Sequence, residues 1–199
     1  MKTRFAQDLL RIAIGGIVLG LTGCHADVKP QSASEPVLSP TDKAFVIDSQ
    51  LNTAQQRALG NFIKSKSKNR EIKQYAETLV NSNSDALQKL GTIMQKYHIE
   101  PAGGEEQQAV AQLNGLSRQA LDRKFVSLIV EDQQKAISSY QGEAHSAKDV
   151  DVGEFAANSL PAVESDLKKA EALQSKLAPK TKQARANKST RKTLHSASF

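Results

Sequence analysis

The apolar residues between positions 42 and 177 recur at spacings of three and four residues. This is the period of an α-helix that buries one face, and it differs from the period of two in a half-buried strand. The pattern predicts four long helices, over about residues 42–64, 68–97, 117–142 and 149–177. A short extra helix is predicted over residues 105–113.

Capping residues and helix breakers set the expected ends of these helices. Thr41 is the expected N-cap of the first long helix, and Ser117 is the expected N-cap of the third. Gly142 is expected to end the third helix. Pro161 lies inside the fourth helix and is expected to kink it, because proline has no backbone N–H to donate.

Four amphipathic helices with short connections bury their apolar faces by packing side by side. The sequence therefore predicts an all-α fold, an antiparallel four-helix bundle over residues 42–177. Residues 24–41 contain three prolines and no periodicity, which predicts a flexible tether. Residues 178–199 hold little apolar material, which predicts a disordered tail.

The N-terminus has the pattern of a secretory signal. A basic head over residues 1–11 precedes an apolar run of ten residues, Ile12–Leu21. This run is about half as long as a helix that spans a bilayer, so it predicts a cleaved signal and not a stable anchor.

The run ends in Leu21-Thr22-Gly23-Cys24, which resembles the lipobox of bacterial lipoproteins. The resemblance implies a lipoprotein signal peptide over residues 1–23 and lipidation of Cys24, the single cysteine of the chain. An ordinary cleaved signal with an incidental cysteine is the alternative. His25 stands where Asp would favour the inner membrane, so the resemblance implies an outer-membrane lipoprotein that faces the periplasm.

The net charge of +6 belongs to the two ends of the chain. Residues 24–175 hold 17 basic and 20 acidic residues, a net charge of −3. The last 24 residues hold seven basic residues and no acidic one. Those beyond the bundle are Lys180, Lys182, Arg185, Lys188, Arg191 and Lys192.

This basic tail has two interpretations: a solvated end, or a contact with anionic envelope polymers such as lipopolysaccharide phosphates. Intracellular nucleic acid is not an expected partner, because it conflicts with the lipobox and the tail lacks interleaved aromatic residues for stacking. No protein partner is predicted. The mean hydropathy of −0.46 argues against a polytopic membrane protein.

One polar residue interrupts the apolar face of each long helix near its middle. These residues are Gln56, Asn83, Gln133 and Asp166. A buried polar group costs about 1–3 kcal/mol unless it is paired, and four such groups at similar heights can pair with one another. The layer has three interpretations: a hydrogen-bonded layer that sets helix register, a site for a small ligand, or a metal site.

Four parts of the predicted helices carry a resemblance to a known family: Asp42–Phe45, Ile72–Val80, Phe125 with Glu131–Ile137, and Leu160–Val163. These segments resemble the ferritin-like "domain of unknown function 4142" family of bacterial envelope proteins. The resemblance implies a secreted or lipid-anchored, ferritin-like four-helix bundle. It also implies that the four polar residues occupy positions where members often carry histidine and acidic residues.

The residues argue against a metal or another cofactor in the bundle. A di-iron bundle uses Glu-x-x-His motifs, and the chain has none. The four histidines, His25, His98, His145 and His195, all lie outside the apolar faces. No P-loop, dinucleotide fingerprint or Ser-His-Asp order is present.

The sequence therefore predicts a non-catalytic envelope lipoprotein whose bundle is a binding or structural module. A ferritin-like metal-binding or oxidoreductase bundle is one alternative. A scaffold that contacts anionic envelope polymers through its basic tail is the other.

Overall fold

The computed structural model describes residues 37–178, which form five α-helices and contain no β-strand. The helices are α1 (Pro40–Lys66), α2 (Arg70–Lys96), α3 (Glu105–Ala111), α4 (Arg118–Ser146) and α5 (Val150–Leu177). The prediction of an all-α fold is confirmed. The predicted signal peptide, Cys24, most of the predicted tether and the basic tail lie outside the described residues.

α1 begins at Pro40, and its N-cap is Ser39 instead of the expected Thr41. Ser39 Oγ accepts a hydrogen bond from the backbone N–H of Asp42 at 3.1 Å. Proline suits the first position of a helix, because that position needs no backbone donor, and the cap therefore lies before it. Leu38 is buried in the core, so packed structure begins inside the segment predicted as a tether.

α4 does not end at Gly142 but continues to Ser146. A glycine inside a helix costs only about 1 kcal/mol. Tyr140 and Glu143, on either side of this glycine, are both buried, and their packing holds the last turn of the helix. α5 also continues through Pro161, which is exposed. The kink expected at Pro161 stays a prediction.

The long helices pack as two hairpins. α1 lies against α2, and α4 lies against α5, each pair joined by a connection of three residues, 67–69 and 147–149. The hairpins meet where α2 faces α5 and where α1 faces α4, and α3 lies on α1. The result is a helical bundle of four long helices with one short helix on its side.

α1 and α2 approach each other closely at Gly60. A Cβ atom at this position would lie 2.8 Å from Val80 Cγ2 and 3.1 Å from the carbonyl oxygen of Ala76. Both distances are shorter than the 3.5–4.0 Å at which carbon atoms pack best. Glycine therefore sets how closely the first hairpin packs.

The buried apolar residues form two separate clusters, one toward each end of the bundle. The first apolar cluster includes Leu59, Ile63, Ile72, Leu79, Phe125 and Ile129. The second apolar cluster includes Phe45, Val46, Leu90, Met94, Tyr140 and Phe155. Each cluster draws residues from all four long helices. Polar side chains occupy the middle of the bundle between the two clusters.

Candidate functional site

The four polar residues singled out in the sequence lie between the two apolar clusters. Gln56 and Gln133 are buried, with 2% and 3% of their surface exposed, and Asp166 is buried with 6% exposed. Asn83 is half-buried. Each of the four residues lies on a different long helix, so all four long helices contribute to this layer.

Gln56 connects three of the four residues. Its Oε1 atom accepts hydrogen bonds from Gln133 Nε2 at 3.2 Å and from Asn83 Nδ2 at 3.5 Å. Its Nε2 atom donates to Asn52 Oδ1, one turn earlier on α1, at 2.8 Å. The Oε1 atom of Gln56 therefore joins α1 to α2 and α4, and the bond from Nε2 to Asn52 holds the side chain along α1.

Asp166 does not join this amide network directly. Its carboxylate accepts hydrogen bonds from Ser82 Oγ and from Lys169 Nζ, each at 3.3 Å. Its backbone carbonyl accepts a hydrogen bond from the Tyr75 hydroxyl at 3.1 Å. Burial, together with the negative charge of Asp166, raises the pKa of the Tyr75 phenol, so this tyrosine is a neutral donor.

A cavity of about 200 Å³ lies in the polar layer, and all four long helices line it. Gln56, Asn83, Gln133 and Asp166 all contribute to its wall. So do the amides of Asn52 and Asn158 and the hydroxyls of Thr53, Ser82, Tyr140 and Ser159. The site is therefore rich in groups that donate and accept hydrogen bonds.

The cavity lies at the seam between α2 and α5, which touch each other much less than each touches its hairpin partner. Both helices contribute small side chains to the lining there: Ser82 and Ala86 on α2, and Ser159 and Ala162 on α5. The longer side chains Asp85, Lys89 and Asn158 also line the cavity and are exposed, as is Ala162. The cavity therefore opens to solvent along this seam.

Tyr140 forms part of the cavity wall toward the second apolar cluster. Burial raises the pKa of its phenol, and the neighbouring side chains of Ser49 and Thr53 act to lower it. Its ring lies 5.1 Å from the ring of Phe45, centroid to centroid. Tyr140 therefore separates the polar cavity from the apolar end of the bundle.

The arrangement suits hydrogen bonding better than metal binding. Within residues 37–178, no three His, Cys, Asp or Glu side chains converge on a point where they could hold a metal ion. His98 and His145 are exposed. Asp132, which neighbours Gln133, has its pKa raised by burial, but it does not line the cavity.

A second polar cluster, missed in the sequence, lies at the end of the bundle beyond the second apolar cluster. Asp42 and Glu143 are buried, with 1% and 5% exposed. The carboxylate of Asp42 accepts hydrogen bonds from the backbone N–H groups of Lys148, at 3.1 and 3.2 Å, and Asp149, at 2.8 Å. Asp42 thereby holds the connection between α4 and α5.

Glu143 lies beside Asp42. Burial, and then the charge of Asp42, raise the pKa of Glu143, which favours the protonated form that can donate a hydrogen bond to Asp42. Burial acts to raise the pKa of Asp42 too, but hydrogen bonds from Ser39, Lys148 and Asp149 outweigh it and lower that pKa. The sequence did not predict this pair, because Glu143 lies just beyond Gly142, where the third long helix was expected to end.

A fourth buried carboxylate, after Asp166, Asp42 and Glu143, holds the opposite end of the bundle. Ser67, in the connection between α1 and α2, donates a hydrogen bond from Oγ to Asp122 Oδ1 on α4 at 2.7 Å. Both residues are buried.

None of the five described helices is long and apolar enough to cross a membrane.

Comparison with known proteins identifies a family of helical domains. Residues 27–173 match the family model described as "Domain of unknown function (DUF4142)". The crystal structure of a DUF305 fragment from Deinococcus radiodurans is similar in fold, with a TM-score of 0.63 at 16% sequence identity. The similarity covers 71% of this chain and 99% of that chain, and at this identity it shows the fold alone. No curated protein matches the sequence at a significant level.

Proposed function

The chain belongs to the DUF4142 family, as its resemblance predicted, and we propose that it is a lipid-anchored envelope protein whose bundle binds a small polar solute. The binding site in this proposal is the cavity between α2 and α5. The protein holds the solute without transforming it. The fold in this proposal is a ferritin-like four-helix bundle in which α3 is an addition between α2 and α4.

The observation that carries the proposal is the polar cavity of about 200 Å³ between two apolar clusters. A layer that only sets helix register needs paired amides, and Gln56 already supplies the pairing. It does not need empty space. If the cavity were dry and closed, it would lower stability by roughly 5 kcal/mol, at about 24 cal/mol per Å³.

A polar cavity of this size admits water, which relieves most of that cost. A solute that matches the same hydrogen bonds can displace the water. The open seam beside the small side chains Ala86 and Ala162 provides a path for this exchange. These features favour a reversible binding site over a sealed structural core.

The proposal assigns no catalysis to the cavity. Its buried carboxylate, Asp166, already accepts hydrogen bonds from Ser82 and Lys169, so it is not poised as a general base. Apart from the charged residues Asp85 and Lys89 at the rim, the other polar groups are amides and hydroxyls, which do not titrate near neutral pH. This chemistry favours retention of a solute over its conversion.

The envelope location in this proposal rests on the sequence. Cys24 follows the apolar run at the position where a bacterial lipobox ends, and His25 favours sorting to the outer membrane. Thirteen residues separate Cys24 from Leu38, where the buried core begins. This length holds the bundle close to the membrane surface, on its periplasmic side.

Native mass spectrometry of the lipidated protein, isolated from its own membranes in mild detergent, tests the proposal. We expect a co-purifying small molecule at a ratio near one per chain. Gln133→Leu should lose it, and Gln134→Leu should keep it, because Gln134 is exposed on the next position of the same helix. A stoichiometric metal ion in place of an organic solute would contradict the proposal, as would retention of the molecule by Gln133→Leu.

A further inference from the structure

We infer that the cavity between α2 and α5 takes a small neutral polyol, a molecule of about eight non-hydrogen atoms with several hydroxyl groups. This inference rests on the proposed function, because it names the chemical class of the solute. It follows from the charge, the hydrogen-bonding groups, the volume and the opening of the cavity.

The charges around the cavity cancel. The carboxylate of Asp166 is paired with Lys169 Nζ at 3.3 Å. At the rim, Asp85 and Lys89 lie one turn apart on α2, and their opposite charges sum to zero. An ionic ligand would lose its hydration without meeting a net charge of opposite sign, so a neutral ligand fits best.

The amides leave both donors and acceptors for a ligand. Gln133 and Asn83 each donate one N–H to Gln56 Oε1, and their carbonyl oxygens accept no hydrogen bond from the described residues. Each amide nitrogen also carries a second N–H. A hydroxyl group both donates and accepts, and so it can satisfy the two ends of one amide side chain.

Part of the wall is apolar. Ala86, Ala136, Ala162 and Val163 line the cavity between its polar groups. The carbon atoms of a polyol can pack against these side chains while its hydroxyls reach the amides. Urea-like amides would satisfy the donors and acceptors but leave this wall without a partner.

The volume limits the size of the ligand. A cavity of about 150 Å³ holds benzene, which has six non-hydrogen atoms. In proportion, the 200 Å³ of this cavity suits a molecule of about eight non-hydrogen atoms. A four-carbon polyol has this size.

Four compounds with the same four-carbon chain test the inference on the mature chain from residue 24. Erythritol is the polyol, 1,4-butanediol lacks two of its hydroxyls, tartrate carries two negative charges, and putrescine carries two positive charges. Saturation-transfer NMR and the side-chain amide signals of Asn and Gln report binding. We expect erythritol to bind at least tenfold more tightly than each of the other three compounds.

Variants separate site binding from the general effect of polyols on proteins. Gln133→Leu should weaken erythritol binding at least tenfold, and Gln134→Leu should leave it unchanged. Ala86→Leu fills the mouth of the cavity without removing a hydrogen-bonding group, and it should also weaken binding. If Gln133→Leu does not fold, the Ala86→Leu variant still tests whether erythritol binds in the cavity.

Each outcome bears on the inference. If tartrate or putrescine binds more tightly and Ala86→Leu abolishes that binding, the polyol class is wrong while the proposed binding function stands. If no compound gives a signal that depends on Ala86 or Gln133, the polyol inference is overturned. The proposed function fails separately, when the protein isolated from membranes also carries no molecule that Gln133→Leu removes.

Discussion

Replacing Asp42 by asparagine is expected to destabilise the bundle by about 2–4 kcal/mol. The carboxylate accepts hydrogen bonds from two backbone N–H groups, those of Lys148 and Asp149. One carboxylate oxygen, Oδ2, accepts from both N–H groups, and Oδ1 also faces the N–H of Lys148 at 3.2 Å. An asparagine oxygen in the place of Oδ2 keeps both bonds without the charge, and its amide then faces the Lys148 N–H in the place of Oδ1. Hydrogen bonds to charged groups contribute about 1.5–3 kcal/mol each, against about 0.5–1.5 kcal/mol for neutral ones, so two weakened bonds and the opposed N–H groups account for the expected loss.

Urea unfolding followed by circular dichroism measures this loss on the mature chain. Asp48→Asn is the matched control, because Asp48 lies on the same helix but is exposed. The control should change the free energy of unfolding by less than about 0.5 kcal/mol. If Asp42→Asn were as stable as the control, Asp42 would not hold the connection between α4 and α5.

The buried carboxyl groups of Asp42 and Glu143 also predict how the stability of the bundle depends on pH. The pKa of Asp42 is lowered in the folded state, so its contribution is present above its unfolded value of about 3.9 and is lost as the pH falls through the folded value. The pKa of Glu143 is raised, so its contribution is present below its unfolded value of about 4.3 and is lost as the pH rises through the folded value.

The variant Glu143→Gln separates the contribution of Glu143 to the pH dependence from that of Asp42. Glutamine is neutral at every pH, and its amide can donate to the Asp42 carboxylate as the protonated glutamic acid does. The variant should therefore lose less stability than the wild type as the pH rises above about 4.3, the unfolded pKa of glutamate. A parallel decline of the two proteins across this range would refute the reasoning about Glu143.

Further predictions concern other parts of the chain. Gly60→Ala should destabilise the bundle by about 1–3 kcal/mol in urea unfolding, because its Cβ would meet Val80. Gly91→Ala, with nothing within 4 Å, should stabilise it by about 0.5–1 kcal/mol. Cys24→Ala should abolish incorporation of a labelled fatty acid in cells, and equal labelling of both proteins would contradict lipidation. Ending the chain at Ala178 should leave the melting temperature unchanged within error, and a clear drop would mean that the basic tail packs on the bundle.

The sequence predicted the four long helices and their buried faces because both follow from the helical period. Apolar residues three and four apart define the buried face of each long helix without knowledge of its neighbours. The same period placed Gln56, Asn83, Gln133 and Asp166 on the inner faces, and the structure has them between the two apolar clusters. A position on a helix face depends on local spacing, which the sequence carries directly.

The partners of these side chains could not be predicted in the same way. Gln56 accepts two hydrogen bonds from side chains on other helices. The Asp166 carboxylate accepts its hydrogen bonds from Ser82 and Lys169 and not from the amides. Which groups meet depends on the lateral distance between helices and on rotamers. The pair of Asp42 and Glu143 is harder still, because its residues are 101 positions apart and meet only when the bundle closes.

Two helix ends differed from expectation, each for its own physical reason. Gly142 is a helix breaker by local propensity, yet α4 passes through it because Tyr140 and Glu143 are buried on either side. Thr41 is a good capping residue, yet Ser39 caps α1 because Pro40 takes the first helical position. In the first case tertiary packing outweighs local preference, and in the second one local preference outweighs another.

The buried polar groups divide into two kinds, and the division explains how a bundle can be open in its middle and still hold together. At one end Asp42 holds the connection between α4 and α5, and at the other Asp122 holds Ser67 in the connection between α1 and α2. Each apolar cluster also joins all four long helices near its own end. Because both ends are held in this way, the middle of the α2–α5 seam can remain unpacked without separating the hairpins. Substitutions at the ends should therefore change mainly the stability, and substitutions at Ala86 or Gln133 should change mainly what the cavity holds.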